Sequence, residues 1–335
     1  MTEPTPQSAA DREPSGPDPL PVSTIADLCA DVEANVSRVI VGHDDAIEHV
    51  ITALLGRGHV LLDDVPGVGK TMLARSIARS VDCTFRRIQF TPDLLPADVT
   101  GVNVFNQKTR EFEFNAGPIF ANVVLGDEIN RAPPKAQSAL LEAMAEEQVT
   151  VDGETRALPD PFFVIATQNP VEQEGTFPLP EAQVDRFLVK TSMGYPDAEG
   201  EVELLRRRAS REEGSPTVST VLEPEEIDAL RRVPETVRVE EDLLEYVAAL
   251  TRETRTDGRV EVGVSPRGTQ RLFEAARAYA ALVGREYVTP DDIKRVAKPV
   301  LAHRLVLTPD ATVNRVEKAA VVENVLESVP VPTVE

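Results

Sequence analysis

A glycine-rich segment that ends in lysine and threonine is the part of the chain best suited to chemistry. Gly67, Gly69, Lys70 and Thr71 follow a short apolar run and precede a helical pattern. In such a turn, successive backbone N–H groups wrap phosphate oxygens at the amino terminus of a helix. Lys70 would place its charge on the β- and γ-phosphates, and the Thr71 hydroxyl would ligate Mg²⁺. The segment therefore predicts a site for a nucleoside triphosphate and magnesium.

The segment departs from the phosphate-loop pattern G-x-x-x-x-G-K-T at one position. Asp64 stands where the first glycine is expected. Aspartate tolerates left-handed backbone better than most residues, so the turn remains feasible. We assign nucleotide binding to the whole segment, namely Asp64, Val65, Pro66, Gly67, Val68, Gly69, Lys70, Thr71 and Met72.

Two later apolar runs end in polar side chains. Val123–Leu125 is followed by Asp127 and Glu128, and Phe162–Thr167 is followed shortly by Asn169. Asp127 would hold Mg²⁺ through its water shell, while Glu128 would orient or deprotonate the attacking water. Asn169 would reach that water or the γ-phosphate. A solvated acidic pair and a turn amide are the ordinary alternatives, and the phosphate loop makes both less favoured.

Short β-type runs alternate with helical patterns in the first two-thirds of the chain. Such alternation is typical of the α/β class, with a parallel sheet covered by helices on both faces. Ligands then bind at the carboxyl ends of the strands, which is where the polar motifs fall. The predicted strands are His59–Leu62, Phe85–Phe90, Val123–Leu125 and Phe162–Thr167, and the predicted helices are Asp44–Leu55, Thr71–Val81 and Lys135–Glu147.

Two segments predict β-hairpins inserted into this unit. Residues 101–116 form two alternating runs around a polar turn, and Val149–Ala157 turns at Asp152-Gly153. The first hairpin carries two basic and two acidic side chains, a net charge of zero. These are Lys108, Arg110, Glu111 and Glu113.

Composition divides the chain into a tail and two domains. Residues 1–22 are rich in Pro, Ser, Asp and Glu and predict a disordered tail. Beyond Tyr195-Pro196 the β signal fades and amphipathic helical patterns follow, so we expect an α/β core at 23–196 and a helical domain at 197–335. The first helix is expected to start with Ser23 as part of its cap and to bury Cys29.

The overall charge and hydropathy limit the partners. The 335 residues carry 35 basic and 56 acidic side chains, a net charge of −21 at pH 7. Such a field repels phosphate backbones unless a local basic surface overcomes it. The chain contains no apolar run near the ~20 residues of a membrane span, and its start lacks the features of a signal peptide. We therefore expect a cytoplasmic protein without a membrane partner, for which nucleic acid is disfavoured.

Two longer motifs resemble those of the MoxR family of AAA+ ATPases. Residues 128–144 are similar to the family's signature after the Mg²⁺ strand, and residues 166–187 are similar to its second signature. The resemblance runs from near Val41 to Arg186 and then thinly to Arg267. It implies a P-loop NTPase core of the AAA+ type with a five-stranded parallel sheet, β-hairpin inserts and a C-terminal all-α lid domain. It also implies hydrolysis of ATP to ADP and phosphate, with ATP and Mg²⁺ as cofactors.

The resemblance also implies roles for single residues. Asn169 matches the position called sensor 1, and Arg186 matches the arginine finger that reaches a neighbouring subunit's nucleotide. Arg267 matches the sensor 2 arginine of the lid. Val41-Gly42 aligns with the segment that lines the adenine pocket, and Gln89 with a polar residue that restrains the catalytic glutamate.

The function that this implies is chaperone-like remodelling, maturation or cofactor insertion of client protein complexes, driven by ATP. The expected assembly is a homo-oligomer, as a hexameric ring, with client proteins that include partners carrying a von Willebrand A-type domain. A nucleic-acid motor is an alternative, but the first hairpin has a net charge of zero and lacks the aromatic and cationic ladder that such a motor needs. An ATP-binding regulatory scaffold with little turnover is another, and the joint presence of Lys70, Asp127, Glu128 and Arg186 argues against it.

Overall fold

The computed structural model describes residues 20–170, 175–210 and 218–332. Most of the predicted tail and residues 171–174 of the second signature lie outside this part. The strands are β1 (Val60–Asp63), β2 (Phe85–Gln89), β3 (Gly101–Asn106), β4 (Glu111–Ala116), β5 (Val123–Asp127), β6 (Gln148–Val151), β7 (Glu154–Ala157), β8 (Phe163–Gln168), β9 (Val189–Thr191), β10 (Val260–Val262) and β11 (Val306–Leu307). The helices are α1 (Val22–Ser37), α2 (Asp44–Leu55), α3 (Lys70–Ser80), α4 (Pro96–Thr100), α5 (Pro134–Glu146), α6 (Glu181–Val184), α7 (Ala198–Ala209), α8 (Pro224–Arg232), α9 (Glu241–Thr256), α10 (Pro266–Leu282), α11 (Pro290–Leu301), α12 (Pro309–Val313) and α13 (Lys318–Ser328).

The main sheet has five parallel strands in the order β2-β5-β8-β1-β9. This confirms the predicted α/β class and places the carboxyl ends of all five strands at one edge. β1 lies between β8 and β9, and β5 lies between β2 and β8. Every motif that follows one of these strands therefore lies along the same edge of the sheet.

Each face of the sheet is covered by its own apolar core. On β1, Val60 and Leu62 belong to the larger core, whereas Leu61 between them belongs to the smaller one. This is the alternation that a strand buried on both faces requires. The larger core includes residues of α1, α2 and α3, and the smaller one includes residues of α5.

Both predicted hairpins are present and lie against each other. β3 pairs with β4 from Gly101 to Ala116, and β6 pairs with β7 around Asp152 and Gly153, which both have positive φ. The Asn103 side chain donates a hydrogen bond to Asp152 of the second hairpin at 2.9 Å. A Cβ atom on Gly101 would lie 2.3 Å from a backbone oxygen, so only glycine fits at the base of the first hairpin.

The chain after β9 is mostly helical and packs on the core through α10, which contacts α1 and α2. At the start of α11, Thr289 and Asp292 form a reciprocal capping box. The two short strands β10 and β11 pair antiparallel, a departure from the expected all-α composition. Arg304 of this region forms an ion pair with Asp185 of the core at 2.9 Å.

The start of α1 differs from the prediction. The helix begins at Val22, with Pro21 as its N-cap and no side-chain capping bond, so Ser23 lies inside the first turn. The apolar stripe nevertheless lies where its spacing indicated, because Cys29 is buried in the larger core. Cys83, by contrast, is half-buried. No helix of residues 20–170, 175–210 or 218–332 is both long and apolar enough to cross a membrane.

His59 gives the fold a predicted dependence on pH. The Val164 N–H donates to Nδ1 at 3.1 Å, so the ring is neutral and Nε2 donates to the Met144 carbonyl at 3.1 Å. Burial lowers the pKa of His59 to about 4. At pH values between the unfolded pKa of His59, near 6.5, and this folded pKa, the unfolded chain binds a proton at His59 and the folded chain does not. The free energy of unfolding therefore falls as the pH drops through this window, by about 3 kcal/mol in total for this group.

Urea unfolding between pH 7 and pH 4.5 measures this effect, with His59→Gln as the comparison. We expect the pH slope of the variant to be smaller than that of the unchanged chain by about one proton. Equal slopes would show that His59 does not titrate in this way. The comparison uses slopes because the variant also alters the stability at neutral pH.

Candidate active site

The glycine turn between β1 and α3 has the shape that phosphate binding requires. Gly67 and Gly69 have φ values of 89° and 103°, and α3 begins at Lys70. Nothing lies within 4 Å of a Cβ built on Gly67, so a side chain would have room there. Glycine is favoured at this position because of its positive φ. Thr71 follows in the first turn of α3, so both predicted phosphate and metal contacts stand at the amino end of the helix.

Lys70 is buried at the centre of the site. Its Nζ donates to the Asp64 carbonyl at 2.7 Å and lies 3.4 Å from the Gln168 carbonyl. Burial lowers the pKa of Lys70, and the negative charges of Asp64, Asp127 and Glu128 act in the opposite direction. The charge of the lysine therefore lies within electrostatic reach of the carboxylates at the ends of β1 and β5.

Asp64 has a different role from the one that its spacing predicted. It is not among the described residues with a positive φ, so the left-handed backbone invoked for it is wrong. Its buried carboxylate instead accepts bonds from the Ser192 hydroxyl at 2.8 Å and from the N–H groups of Met193 and Gly194 at 2.6 and 2.9 Å. The aspartate thus ties the glycine turn to the segment after β9.

Asp127 ends β5 with both carboxylate oxygens hydrogen-bonded. The Thr167 hydroxyl donates to Oδ1 at 2.7 Å, and the Arg87 Nε donates to Oδ2 at 3.0 Å. No group of three or more His, Cys, Asp or Glu side chains in the described residues could hold a metal by itself. A carboxylate at the end of β5 and a hydroxyl in the first turn of α3 are nevertheless oxygen donors of the kind that suits Mg²⁺, since this ion usually binds one or two carboxylates together with substrate phosphates and water.

Glu128 is fixed in an uncommon backbone conformation. It has φ 56° and ψ 49°, a left-handed conformation that costs energy for a non-glycine residue. Its N–H donates to the Thr167 hydroxyl at 2.8 Å, and its carboxylate accepts from Gln89 at 2.8 Å and from Arg131 at 3.2 Å. The predicted contact between Gln89 and the glutamate is therefore present. The carboxylate is held at the strand-end edge, beside Asp127.

The remaining predicted residues on this side also lie near the glycine turn. Asn169 is buried just after β8, the neighbour of β1. Gly42 has φ 74°, and a Cβ built on it would lie 3.5 Å from the Pro196 side chain. Val41 lies 3.8 Å from a Cβ built on Gly200, which is in α7. Val41-Gly42 thus packs where the core meets the helices that follow it.

The two predicted arginines lie elsewhere. Arg186 precedes β9, and the Leu188 N–H bonds to the carbonyl of His59, which precedes β1. Arg186 therefore lies at the strand-start edge of the sheet, opposite the glycine turn, and its guanidinium donates to the carbonyl of Leu141 in α5. Arg267 is exposed in the first turn of α10.

Arg267 and Arg186 are connected through Arg304. A Cβ built on Gly268, the residue after Arg267, would lie 2.9 Å from the Arg304 side chain. Arg304 in turn pairs with Asp185, the residue before Arg186. The structure thus brings the phosphate loop, Asp127, Glu128 and Asn169 together at the strand-end edge, and places Arg186 and the residue after Arg267 on two sides of Arg304, apart from that group.

Comparison with known proteins identifies the arrangement. Residues 59–189 match the ATPase family associated with various cellular activities (AAA), and residues 252–325 match the AAA lid domain. YeaC of Bacillus subtilis, which is uncharacterized, is 51% identical over 89% of this chain and 93% of its own. Chaperone MoxR1 of Mycobacterium tuberculosis is 44% identical over 89% and 81%. Protein MoxR of Methylorubrum extorquens is 32% identical over 91% and 96%.

The chain belongs to the MoxR family of AAA+ ATPases. A crystal structure of a Cytophaga hutchinsonii protein superposes with a TM-score of 0.86 at 38% identity, covering 93% of this chain and 97% of that one. The fold is accordingly an AAA+ core followed by a helical lid, and the protein is an ATP hydrolase.

Three contributors to this MoxR-family site were not predicted. Thr167 is fully buried and joins Asp127 to the Glu128 backbone, and Arg87 supports Asp127 from β2. Arg304 secures the backbone on both sides of Arg186. A hydroxyl inside an otherwise apolar strand was the available signal for Thr167. The local sequence did not indicate the roles of Arg87 and Arg304, because each bonds a partner that is distant along the chain.

Proposed function

We propose that this ATPase assembles into a ring, a hexamer in our expectation, and hydrolyses ATP at the contacts between its subunits. The energy drives chaperone-like remodelling, maturation or cofactor insertion of client protein complexes. The family membership and the chaperone name of one relative support the general role. More specifically, we propose that the ring acts on client proteins and that these include partners with a von Willebrand A-type domain.

The residues at the strand-end edge divide the work of hydrolysis. Lys70 and the N–H groups of the glycine turn hold the phosphates. Thr71 and Asp127 would hold Mg²⁺, which supplies neutralisation of the charge that develops on the phosphates. Glu128 orients or deprotonates the attacking water, and Asn169 contacts that water or the γ-phosphate.

Two neighbours of Glu128 prepare it for this role. Gln89 and Arg131 both donate to its carboxylate, and Thr167 fixes its backbone N–H. A carboxylate held in this way needs little rearrangement before it accepts a proton or orients a water molecule. The left-handed backbone of Glu128 is consistent with a position that the surroundings impose for function.

The position of Arg186 is the observation that carries the proposal of hydrolysis between subunits. The guanidinium stands at the strand-start edge, across the sheet from the glycine turn of its own chain. An arginine that completes a nucleotide site must therefore come from a neighbouring subunit. Because Arg267 is linked to the same region through Arg304 and Asp185, we propose that it also acts on the neighbour's nucleotide, as part of a lid domain at residues 197–335.

The first hairpin offers an apolar surface for a client protein. Val102, Val104, Phe105 and Phe112 are exposed on it, and Phe112 is 71% accessible. The Phe105 and Phe112 rings meet edge to face with centroids 5.4 Å apart. Side chains alternate along a strand, so Phe105 and Phe112 share one face of the hairpin and Val102 and Val104 lie on the other. An exposed aromatic pair of this kind is typical of a protein-binding surface, whereas a nucleic-acid surface would need a basic groove. This observation favours protein clients over nucleic acid.

The experiment that tests the client role uses a variant that binds ATP without hydrolysing it. Glu128→Gln rings purified from cells with ATP should retain client proteins, and the same rings with Phe105→Ser and Phe112→Ser should lose them. The two serines remove the apolar contact without touching the nucleotide site. Retention of the same proteins in equal amounts by both forms, measured by mass spectrometry, would contradict a client-binding role for this hairpin.

A further inference from the structure

Lysine is scarce in this chain, and most of it is concentrated at one place. The sequence has seven lysines among its 35 basic residues. Four of them, Lys190, Lys294, Lys298 and Lys318, line a single cavity together with Arg295. Since the chain has a net charge of −21, a cavity that gathers five cationic side chains is unlike the rest of its surface.

The cavity lies between the core and the helices that follow it. β9 and α2 supply the core side, and α11 and α13 supply the other. Its volume is about 640 Å³, within the range of sites that enclose a small organic ligand. None of the residues from Asp64 to Met72 lines it, so it is distinct from the phosphate loop, which it adjoins through Asp63 and through Ser192, whose hydroxyl donates to Asp64.

Carboxylates neutralise the cations only in part. The cavity is lined by five cationic side chains and by three acidic ones, Asp45, Asp63 and Glu323, which leaves a charge of +2. Lys190 pairs with Asp63 at 2.6 Å and Lys298 with Glu323 at 2.7 Å. Arg295 forms ion pairs with Asp45 and with Glu48, which does not itself line the cavity.

Lys294 and Lys318 carry the excess charge. Lys294 lies 3.9 Å from Asp291, whose side chain is 92% exposed, so that pair is weak. Lys318 has no acidic partner within 4 Å in the part of the chain that the structure describes. Burial and the charge of Lys190 lower the pKa of Lys318, and the charge of Glu181 acts in the opposite direction. An arriving anion would relieve this repulsion.

A buried histidine and a helix terminus add polar groups to the cavity. His303 lines it, and its buried Nδ1 has no hydrogen-bond partner. The Nε2 atom of His303 lies 3.2 Å from the Phe187 carbonyl and 2.6 Å from the Arg304 guanidinium. The amino terminus of α13, where Lys318 is the first residue, has no side-chain cap and no acidic residue in its first turn.

We propose that this cavity binds a small anion with two or more phosphoryl groups, which bridges the core and the lid. Phosphoryl oxygens accept several hydrogen bonds at once, so such an anion can engage Lys318, Lys294 and the α13 amino terminus together. The volume of about 640 Å³ matches a small molecule better than an acidic protein segment. A bound anion would join α11 and α13 to β9 and thereby restrain the lid against the core.

Isothermal titration of the full-length chain with pyrophosphate tests the site, with one equivalent of ADP and no added metal so that the phosphate loop is occupied and the cavity is left free. The unchanged chain should bind one equivalent. Lys294→Gln with Lys318→Gln should weaken that binding about tenfold or more. Lys108→Gln with Lys135→Gln removes the same charge from two exposed lysines outside the cavity and should leave the affinity unchanged.

Three outcomes would overturn the proposal. The first is that pyrophosphate does not bind once ADP is bound. The second is that both double variants lose pyrophosphate affinity equally. The third is that poly-glutamate binds to the chain and pyrophosphate does not. Retained ADP binding by the cavity variant shows that it is folded, so that a lost pyrophosphate signal reports on the cavity. A second arm without pyrophosphate distinguishes the source of the phosphates, because a second equivalent of bound ADP assigns the site to nucleotides.

Discussion

Replacing Glu128 with glutamine lowers ATP turnover by about a thousandfold and leaves ATP binding close to that of the unchanged chain. The amide keeps the size of the side chain and can still accept the bond from Gln89, but it cannot take a proton from water. The phosphate loop is untouched, so Lys70 and Thr71 bind as before. Single-turnover hydrolysis and nucleotide titration measure the two effects separately.

The matched control is Glu146→Gln, which makes the same chemical change on an exposed side chain at the end of α5. We expect its turnover to equal that of the unchanged chain. A Glu128→Gln protein that still turned over at half the normal rate would rule out the proposed role of this carboxylate. The protein would then resemble a nucleotide-binding scaffold, whose slow turnover does not need this base.

Replacing Arg186 with alanine has an effect of similar size. We expect turnover to fall by about a thousandfold, because an arginine finger supplies charge to the phosphoryl oxygens in the transition state. ATP binding should change little, since the glycine turn of the same chain lies at the other edge of the sheet. Arg186→Lys should not restore the rate, because an ammonium group lacks the planar pair of donors. Arg252→Ala, an exposed arginine of α9, is the control.

Mixing two inactive proteins tests whether Arg186 acts on a neighbour. Lys70→Ala cannot hold the phosphates, and Arg186→Ala lacks the finger. In rings formed from equal amounts of both, about a quarter of the contacts join an intact glycine turn to an intact Arg186, so turnover should return in proportion. If Arg186 served its own subunit, every site would lack one part and the mixture would stay inactive.

The local patterns predicted the strand-end edge of the site well. β1, β2, β5 and β8 lie within two residues of their predicted positions. β1, β5 and β8 are apolar runs that stop at a polar motif, whereas β2 contains two arginines. The hairpin turn at Asp152-Gly153 was equally clear, since few residue pairs suit two successive positive φ angles. The three-residue strand β9 was not located, because a segment this short has no periodicity to detect.

The parts that were missed depend on contacts between distant residues. Asp64 was explained from its own backbone, whereas the structure uses its side chain to bind residues 192–194, more than 120 positions later. Thr167 and Arg87 reach Asp127 from other strands, and no local rule indicates such partners. The family resemblance named Arg186 and Arg267, but only the topology of the sheet shows that both stand away from their own glycine turn.

The bond between Arg304 and the segment around Arg186 has a mechanical consequence. Arg304 donates to the Phe187 carbonyl at 2.8 Å and pairs with Asp185, so it grips the backbone on either side of Arg186. The Arg186 guanidinium itself donates to the Leu141 carbonyl of α5, in the core. A rotation of the helical region must therefore either break the bonds of Arg304 or shift the backbone on both sides of Arg186. If Arg186 acts on the adjoining subunit as proposed, movement of a subunit's lid is coupled to the placement of its arginine.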